Sequence, residues 1–231
     1  MAASYPMQPG TQPQTSRRTL LNWLIVALVV LGAFLAVAFL PRIFAELSYP
    51  LAYDDVIRSE AEAHELDSFL VAAVIHTESR FRPTATSPVG ARGLMQIMPL
   101  TGQGIARRLG DSDFTVDKLY DPATNIKYGA YHLQGLMGRY NSNVEAALVG
   151  YNGGGGAGDR FIRGETGSVP TESIRYYKKV LSAREKYREL YSVRLSDTSN
   201  VNTVFATSSE ETLTSRLLRA VQTTVVQRIS Q

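Results

Sequence analysis

A mainly α domain preceded by a single N-terminal transmembrane helix is the fold class that the sequence predicts, on three observations. Leu20 to Leu40 is a 21-residue stretch without a charged residue, and at about 1.5 Å per residue a helix of that length crosses the roughly 30 Å hydrocarbon core of a bilayer. From Tyr53 to Tyr191 apolar residues recur every three or four positions, punctuated by helix-start and helix-stop residues and with few β-branched alternations. The 231 residues include no cysteine, which excludes a disulfide scaffold, thiolate zinc sites and a cysteine nucleophile and leaves helix packing to hold the domain.

Residues 1–19, rich in Pro, Gln, Ser and Thr, read as a disordered cytoplasmic tail. The transmembrane helix covers 20–41, with Trp23 near one interface and Pro41-Arg42 closing the other. Arg17 and Arg18 precede it closely while only Arg42 and Glu46 follow. The positive-inside bias therefore places the N-terminus in the cytoplasm and the following domain outside it, on a single-pass anchor. A cleaved signal peptide is the competing reading, because Ala36-Val37-Ala38 has the small-x-small form. An uncleaved anchor is the favoured of the two, because the apolar run exceeds the usual signal-peptide core and cleavage there would leave Phe39-Leu40 at the new terminus.

The domain itself is expected over 50–191. Asp54 opens a first helix with Val56, Ile57 and Ala61 on its apolar side, and Asp67 caps Ser68–Ser79, apolar almost all round and so central to the core. Pro83 and Pro88 make the next segment a loop; Pro99 opens a helix through Leu109 that Gly110 ends, weakened by Gly102 and Gly104. Asp121-Pro122 is a cap and first-turn pair for a longer helix carrying Ile126, Ala130, Leu133, Met137 and Tyr140. Asn143 starts a short helix through Tyr151 that the glycines 153–156 terminate. Thr171 starts the last one, with Ile174, Tyr177, Leu181 and Tyr191 inward and Lys178, Arg184 and Lys186 outward. A Ser/Thr-rich linker, 192–209, leads to an amphipathic C-terminal helix, 210–231, which either packs back on the domain, binds a protein partner or rests on an anionic leaflet.

The net charge of +3 does not imply a nucleic-acid partner. Residues 51–191 hold 17 basic and 17 acidic residues, so the excess sits in the flanks. No metal or cofactor is expected either. The histidines at 64, 76 and 132 are scattered, and His76-Thr77-Glu78 lacks the i, i+4 histidine pair of a zinc helix. Gly153, Gly155 and Gly158 satisfy GxGxxG only formally, because a helical pattern and not a strand precedes them. Glu78 is the residue with chemical promise. It ends an apolar helix beside Phe81, where the negative end of the helix dipole and apolar neighbours both raise a carboxyl pKa toward the value a general acid needs.

Around it, Glu78-Ser79-Arg80-Phe81-Arg82-Pro83, Ala85, Ser87, Gly90-Ala91-Arg92-Gly93-Leu94-Met95-Gln96-Ile97-Met98-Pro99 and Thr101 resemble the soluble lytic transglycosylase domain. The likeness runs on through Asp121-Pro122, Asn125-Ile126, Gly129, Arg139-Tyr140, Tyr151-Asn152 and Glu172 leading Tyr176-Tyr177-Lys178-Lys179-Val180-Leu181, over roughly 53–190. The resemblance implies a lysozyme-like helical domain that cuts the β-1,4 bond between N-acetylmuramic acid and N-acetylglucosamine in peptidoglycan and leaves a 1,6-anhydro ring. It implies Glu78 as acid and then base, Ser87, Gln96 and Met98 along the sugar groove, Tyr151 and Asn152 beside the acid, and Glu172 as a substrate contact or an N-terminal helix stabiliser. It implies peptidoglycan glycan strands as partner. A hydrolytic lysozyme on the same fold and a non-catalytic wall-binding scaffold are the alternatives. The chain departs from the family at Gly153–Gly156, where Tyr-Asn-Ala-Gly-Pro-Gly is common, and the loss of Ala and Pro predicts a softer loop.

Overall fold

The computed structural model describes residues 17–196. The predicted linker beyond Ser196, the C-terminal helix and all but the last three residues of the predicted cytoplasmic tail lie outside the described residues. Two units are described, one ending at Ser48 and one beginning at Tyr49.

The first unit is helix α1, Arg17–Ser48, 32 residues long. Its stretch from Leu20 to Ser48 is long and apolar enough to cross a membrane by length and composition, and none of that surface is buried against protein. The helix does not stop at Pro41, as expected, but carries it inside. A proline removes one intrahelical donor, and the apolar helix formers on both sides carry the helix past that single loss.

In the second unit, α2 (Asp54–Ala63) and α3 (Ser68–Ser79) begin where their sequences predict. Leu70 to Ile75 are six consecutive residues with at most 2% exposure, so α3 is enclosed on every side. Asp67 caps it by accepting from Phe69 N at 2.9 Å. The same carboxylate receives Arg184 Nε at 2.6 Å and Arg188 at 3.0 Å, so Arg184 is turned toward the core helix and is not outward. Helix α4 (Pro99–Leu109) passes unbroken through Gly102 and Gly104 and ends at Gly110. A 3-10 turn, Val116–Tyr120, leads to α5 (Pro122–Arg139), whose cap Asp121 accepts from Thr124 N at 2.9 Å.

The glycine tract ends the helix before it, as predicted, but does not continue as a loop. Helix α6 (Val144–Gly153), capped by Asn143, is separated from α7 (Gly155–Ile162) by Gly154 alone, at φ 78°. Helical structure resumes inside the tract. A Cβ on Gly158 would stand 2.3 Å from the Tyr140 hydroxyl, which itself donates to Gly155 O at 2.8 Å. Gly158 is therefore required where Tyr140 presses on α7, whereas Gly155 and Gly156 have room for a side chain.

A second 3-10 turn, Thr166–Ser168, precedes α8 (Thr171–Leu195), which runs four residues past the predicted domain end. Its buried stripe is Ser173, Tyr176, Val180, Ala183, Tyr187, Tyr191 and Leu195. Of the four residues expected inward only Tyr191 belongs to it; Ile174, Tyr177 and Leu181 are half-buried on the flank. Ile174 and Tyr177 pack on the small cluster of Val149, Ala157 and Val169, while Tyr176, Val180 and Tyr187 belong to the main core. A helix wedged between two neighbours carries two apolar stripes of the same period, and periodicity alone does not say which is deeper. Among the described residues there is no strand beyond two isolated bridges, Thr86 with Arg92 and Arg92 with Ile97.

Candidate active site

Glu78 lies in the last turn of α3, half-buried beneath α8. Past it Arg80 and Phe81 both take left-handed backbone angles, φ 52° and 62°, and turn the chain sharply away from the helix. The carboxyl is left at the edge of the core, where Tyr176 donates its hydroxyl proton to Glu78 Oε1 at 2.7 Å. Burial pushes the Glu78 pKa up to about 7, against the opposing pull of the Tyr176 bond and the Lys179 ammonium. Near neutral pH such a group holds and releases a proton with equal ease, the property required of one residue that acts as acid and base in turn.

The segment from Arg82 to Met98 folds over this carboxyl as a loop stapled to itself. Ser87 Oγ accepts from Ala91 N at 3.0 Å, and Gln96, at φ 50°, donates from Nε2 to Gly93 O at 2.8 Å and Ala85 O at 3.2 Å. Asn125 of α5, with no exposed surface, fastens the loop from below. Its Oδ1 accepts from Met95 N at 2.7 Å, and its Nδ2 donates to Arg92 O at 3.0 Å and Leu119 O at 2.7 Å. Between loop and helix is a cleft of about 380 Å³ lined by Glu78, Arg82, Thr84, Ala85, Thr86, Ser87 and Gln96. Glu78 is the only carboxyl group among these lining residues.

The sequence-predicted residues divide accordingly. Glu78, Ser87 and Gln96 meet in the cleft. Tyr151 stands within electrostatic reach of Glu78: burial first, and then the Glu78 charge, raise its phenol far above the ordinary range and keep it neutral. Its hydroxyl donates to Met95 O at 2.9 Å, and its ring lies 5.2 Å from that of His132. Asn152 is exposed and accepts from Ser173 Oγ at 2.8 Å, tying the end of α6 to the start of α8. Met98, 41% exposed ahead of α4, and Glu172, exposed in the first turn of α8, do not line the cleft. His76, read as a core or surface residue, stacks on Tyr49 at 4.8 Å inside the domain. The residue that sequence reasoning missed is Tyr176. The apolar spacing points to its neighbour Tyr177 as the inward residue, and only its partner, 98 positions away, gives the Tyr176 hydroxyl a role.

Comparison with known proteins agrees with this geometry. The soluble lytic murein transglycosylase of Escherichia coli K12 is 30% identical over 152 residues, covering 62% of this chain and 24% of its own length. The transglycosylase of Enterobacteria phage PRD1 is 42% identical over 108 residues, 47% of this chain and 37% of its own. Among solved structures, an inactive Glu-to-Gln mutant of lytic transglycosylase Slt from Pseudomonas aeruginosa superposes with a TM-score of 0.57 at 27% identity, over 67% of this chain and 27% of that one. The chain thus spans about a quarter to little more than a third of the curated relatives named here. Residues 55–172, just over half of the sequence and the whole stretch from α2 through Glu78 and its loop to the start of α8, match the transglycosylase SLT domain, and the chain belongs to that family.

Proposed function

We propose that the protein is a membrane-tethered peptidoglycan lytic transglycosylase in which Glu78 acts first as acid and then as base. The observation that carries the reading is a lone cleft carboxyl whose pKa burial lifts to about 7. Protonated Glu78 gives its proton to the glycosidic oxygen as the bond from C1 of N-acetylmuramic acid breaks. The resulting carboxylate then takes the proton of the muramic C6 hydroxyl, whose oxygen closes on C1 to form the 1,6-anhydro ring. One proton is given and one recovered, so no water is consumed. The substrate's own N-acetyl oxygen can shield the cationic C1, which removes the need for a second carboxylate as nucleophile. That a Glu-to-Gln mutant of the Pseudomonas aeruginosa relative is inactive is consistent with an essential glutamate in such a site.

Ser87 and Gln96 offer polar contacts to the sugar in the cleft, and Tyr151, held neutral within reach of the Glu78 charge, steadies the loop through Met95 O. Asn152 acts by tying the end of α6, which carries Tyr151, to α8 through Ser173. Met98 and Glu172, which do not line this cleft, would serve as contacts to the rest of the strand. Helix α1 serves as the anchor, and the arginines at 17 and 18 favour a cytoplasmic N-terminus and a periplasmic domain over residues 50–191. The test is the mass of the muropeptides released from purified sacculi. Anhydro products, one water lighter than hydrolysed ones, are expected; products carrying the extra water would mark a hydrolase instead.

The Tyr176 bond gives a sharper expectation. The hydroxyl donates to the ionised carboxylate and so lowers the Glu78 pKa. Tyr176→Phe removes that donor, raises the pKa and moves the alkaline limb of the kcat/KM profile to higher pH. A limb that stays in place, or moves down, would show that the bond does not set the acid's proton affinity.

A further inference from the structure

Arg82 is the one cationic residue among those lining the Glu78 cleft; the others, apart from Glu78 itself, are neutral. The turn beyond α3 fixes its place. Ser79 O accepts from Arg82 N at 3.2 Å and from Arg82 Nε at 3.1 Å, so the side chain is folded back onto the end of the helix that carries the acid. Those bonds use one edge of the guanidinium. Its two terminal nitrogens have no hydrogen-bond or ion-pair partner among the described residues, and the residue is exposed. The cationic charge that bears on the Glu78 carboxyl is that of Lys179, not of Arg82. The cleft therefore presents a positioned, planar guanidinium fork that neither the fold nor the acid uses, and such a fork matches a carboxylate.

The sugars of a peptidoglycan strand carry one ionisable group, the carboxyl of the lactyl ether on C3 of N-acetylmuramic acid. On strands that bear peptide it is a neutral amide. Hydrolysis of that amide frees it as a carboxylate, on the same ring whose C1 is cleaved, whereas the carboxylates of a stem peptide lie at least one amino acid further out. We infer that Arg82 pairs the free lactyl carboxylate and that the enzyme favours strands from which the peptide has been removed, which places it after a hydrolysis of the amide between muramic acid and peptide. The inference deepens the peptidoglycan reading above and rests on it.

The test compares one set of glycan strands in three forms: with peptide, after amidase treatment, and after amidase treatment with the freed carboxyls converted to primary amides. The full chain is expected to cleave the carboxylate strands with a kcat/KM about fivefold above that on the amide strands, the size of a good exposed ion pair, and through KM. Salt at about 0.5 M should erase the difference, because an exposed pair is screened at that ionic strength. Arg82→Gln should erase it at low salt, and Arg82→Lys should keep part of it, because a charge remains without the planar fork. The comparison in the parent chain needs no variant, so it decides the matter even if Arg82→Gln fails to fold. Equal kcat/KM on carboxylate and amide strands, or a preference that Arg82→Gln retains, would overturn the inference. A loss on peptide-bearing strands as large as that on carboxylate strands would do the same, because the guanidinium would then serve the peptide or the loop. Anhydro products released with no carboxylate preference sink the Arg82 role alone. Calorimetric affinity of the Glu78→Gln chain for carboxylate strands that depends on Arg82, where the parent chain releases hydrolysed fragments or none, would retain that role and sink the transglycosylase reading instead.

Discussion

Glu78→Gln is expected to abolish release of soluble fragments from sacculi, with a rate loss of at least about a thousandfold, while the fold stays intact. General acid–base catalysis contributes about 10²–10⁴ to a rate, and here one carboxyl performs both proton transfers. Glutamine keeps the shape and can still accept the Tyr176 hydroxyl at its amide oxygen, so the hydrogen bond seen at 2.7 Å survives the change. It cannot give or take the proton. Substantial cleavage by this variant would refute the assignment of Glu78.

Stability supplies an independent reading of the same substitution. The folded-state pKa of about 7 lies above the ordinary 4.5, so between those values the native state binds more protons than the unfolded one. Stability from this group therefore falls as pH rises through that window, and the full penalty applies above about 7. The amide carries no such penalty. Glu78→Gln should melt at a higher temperature than the parent above about pH 7, and the gap should close as pH falls toward 4.5. The same melting curves show that the variant is folded. A variant that melts below the parent at alkaline pH would mean that Glu78 is not held in a desolvated site.

Asn125→Ala is the substitution expected to cost most in stability. The side chain is fully buried and makes three hydrogen bonds of 2.7–3.0 Å, all to backbone groups of Arg92, Met95 and Leu119. Alanine deprives Met95 N and Leu119 O of this partner in the interior, at about 1–3 kcal/mol each before relaxation, while Arg92 O keeps its bond from Ile97 N at 3.0 Å. A loss of about 4 kcal/mol is expected, a large fraction of the roughly 5–15 kcal/mol that stabilises a domain. Melting should fall by about 8–16 °C. The loop that Asn125 anchors carries Ser87 and Gln96, so substrate affinity should weaken even below the melting point. A shift of less than about 2 °C would show that the loop holds itself, through the Gln96 and Ser87 bonds alone.

Much of this was legible in the sequence because it is local. Asp67, Asp121 and Asn143 cap helices through backbone donors two or three residues on, and Gly110 takes the left-handed angle that ends α4. Such bonds depend on a few consecutive residues and can be read from them. The position of Glu78 at the end of an apolar helix was equally plain. The glycine tract misled for the complementary reason. Locally it predicts a loop, whereas α7 is helical, and Tyr140, from the end of α5, packs against it so closely that Gly158 has room for nothing larger than hydrogen.

By itself, then, the sequence determined the helices of the domain apart from α7, the apolar anchor segment, the carboxyl at the end of α3 and the motifs that place the chain in its family. The tertiary structure decided which stripe of α8 lies deepest, that Arg184 turns in to Asp67, that Asn125 clamps the loop, and that Tyr176 reaches Glu78. The division has one physical cause. Capping and periodicity are set within a turn or two of chain, whereas desolvation of a carboxyl, and the hydroxyl that moderates it, arise only when segments nearly a hundred residues apart are packed together.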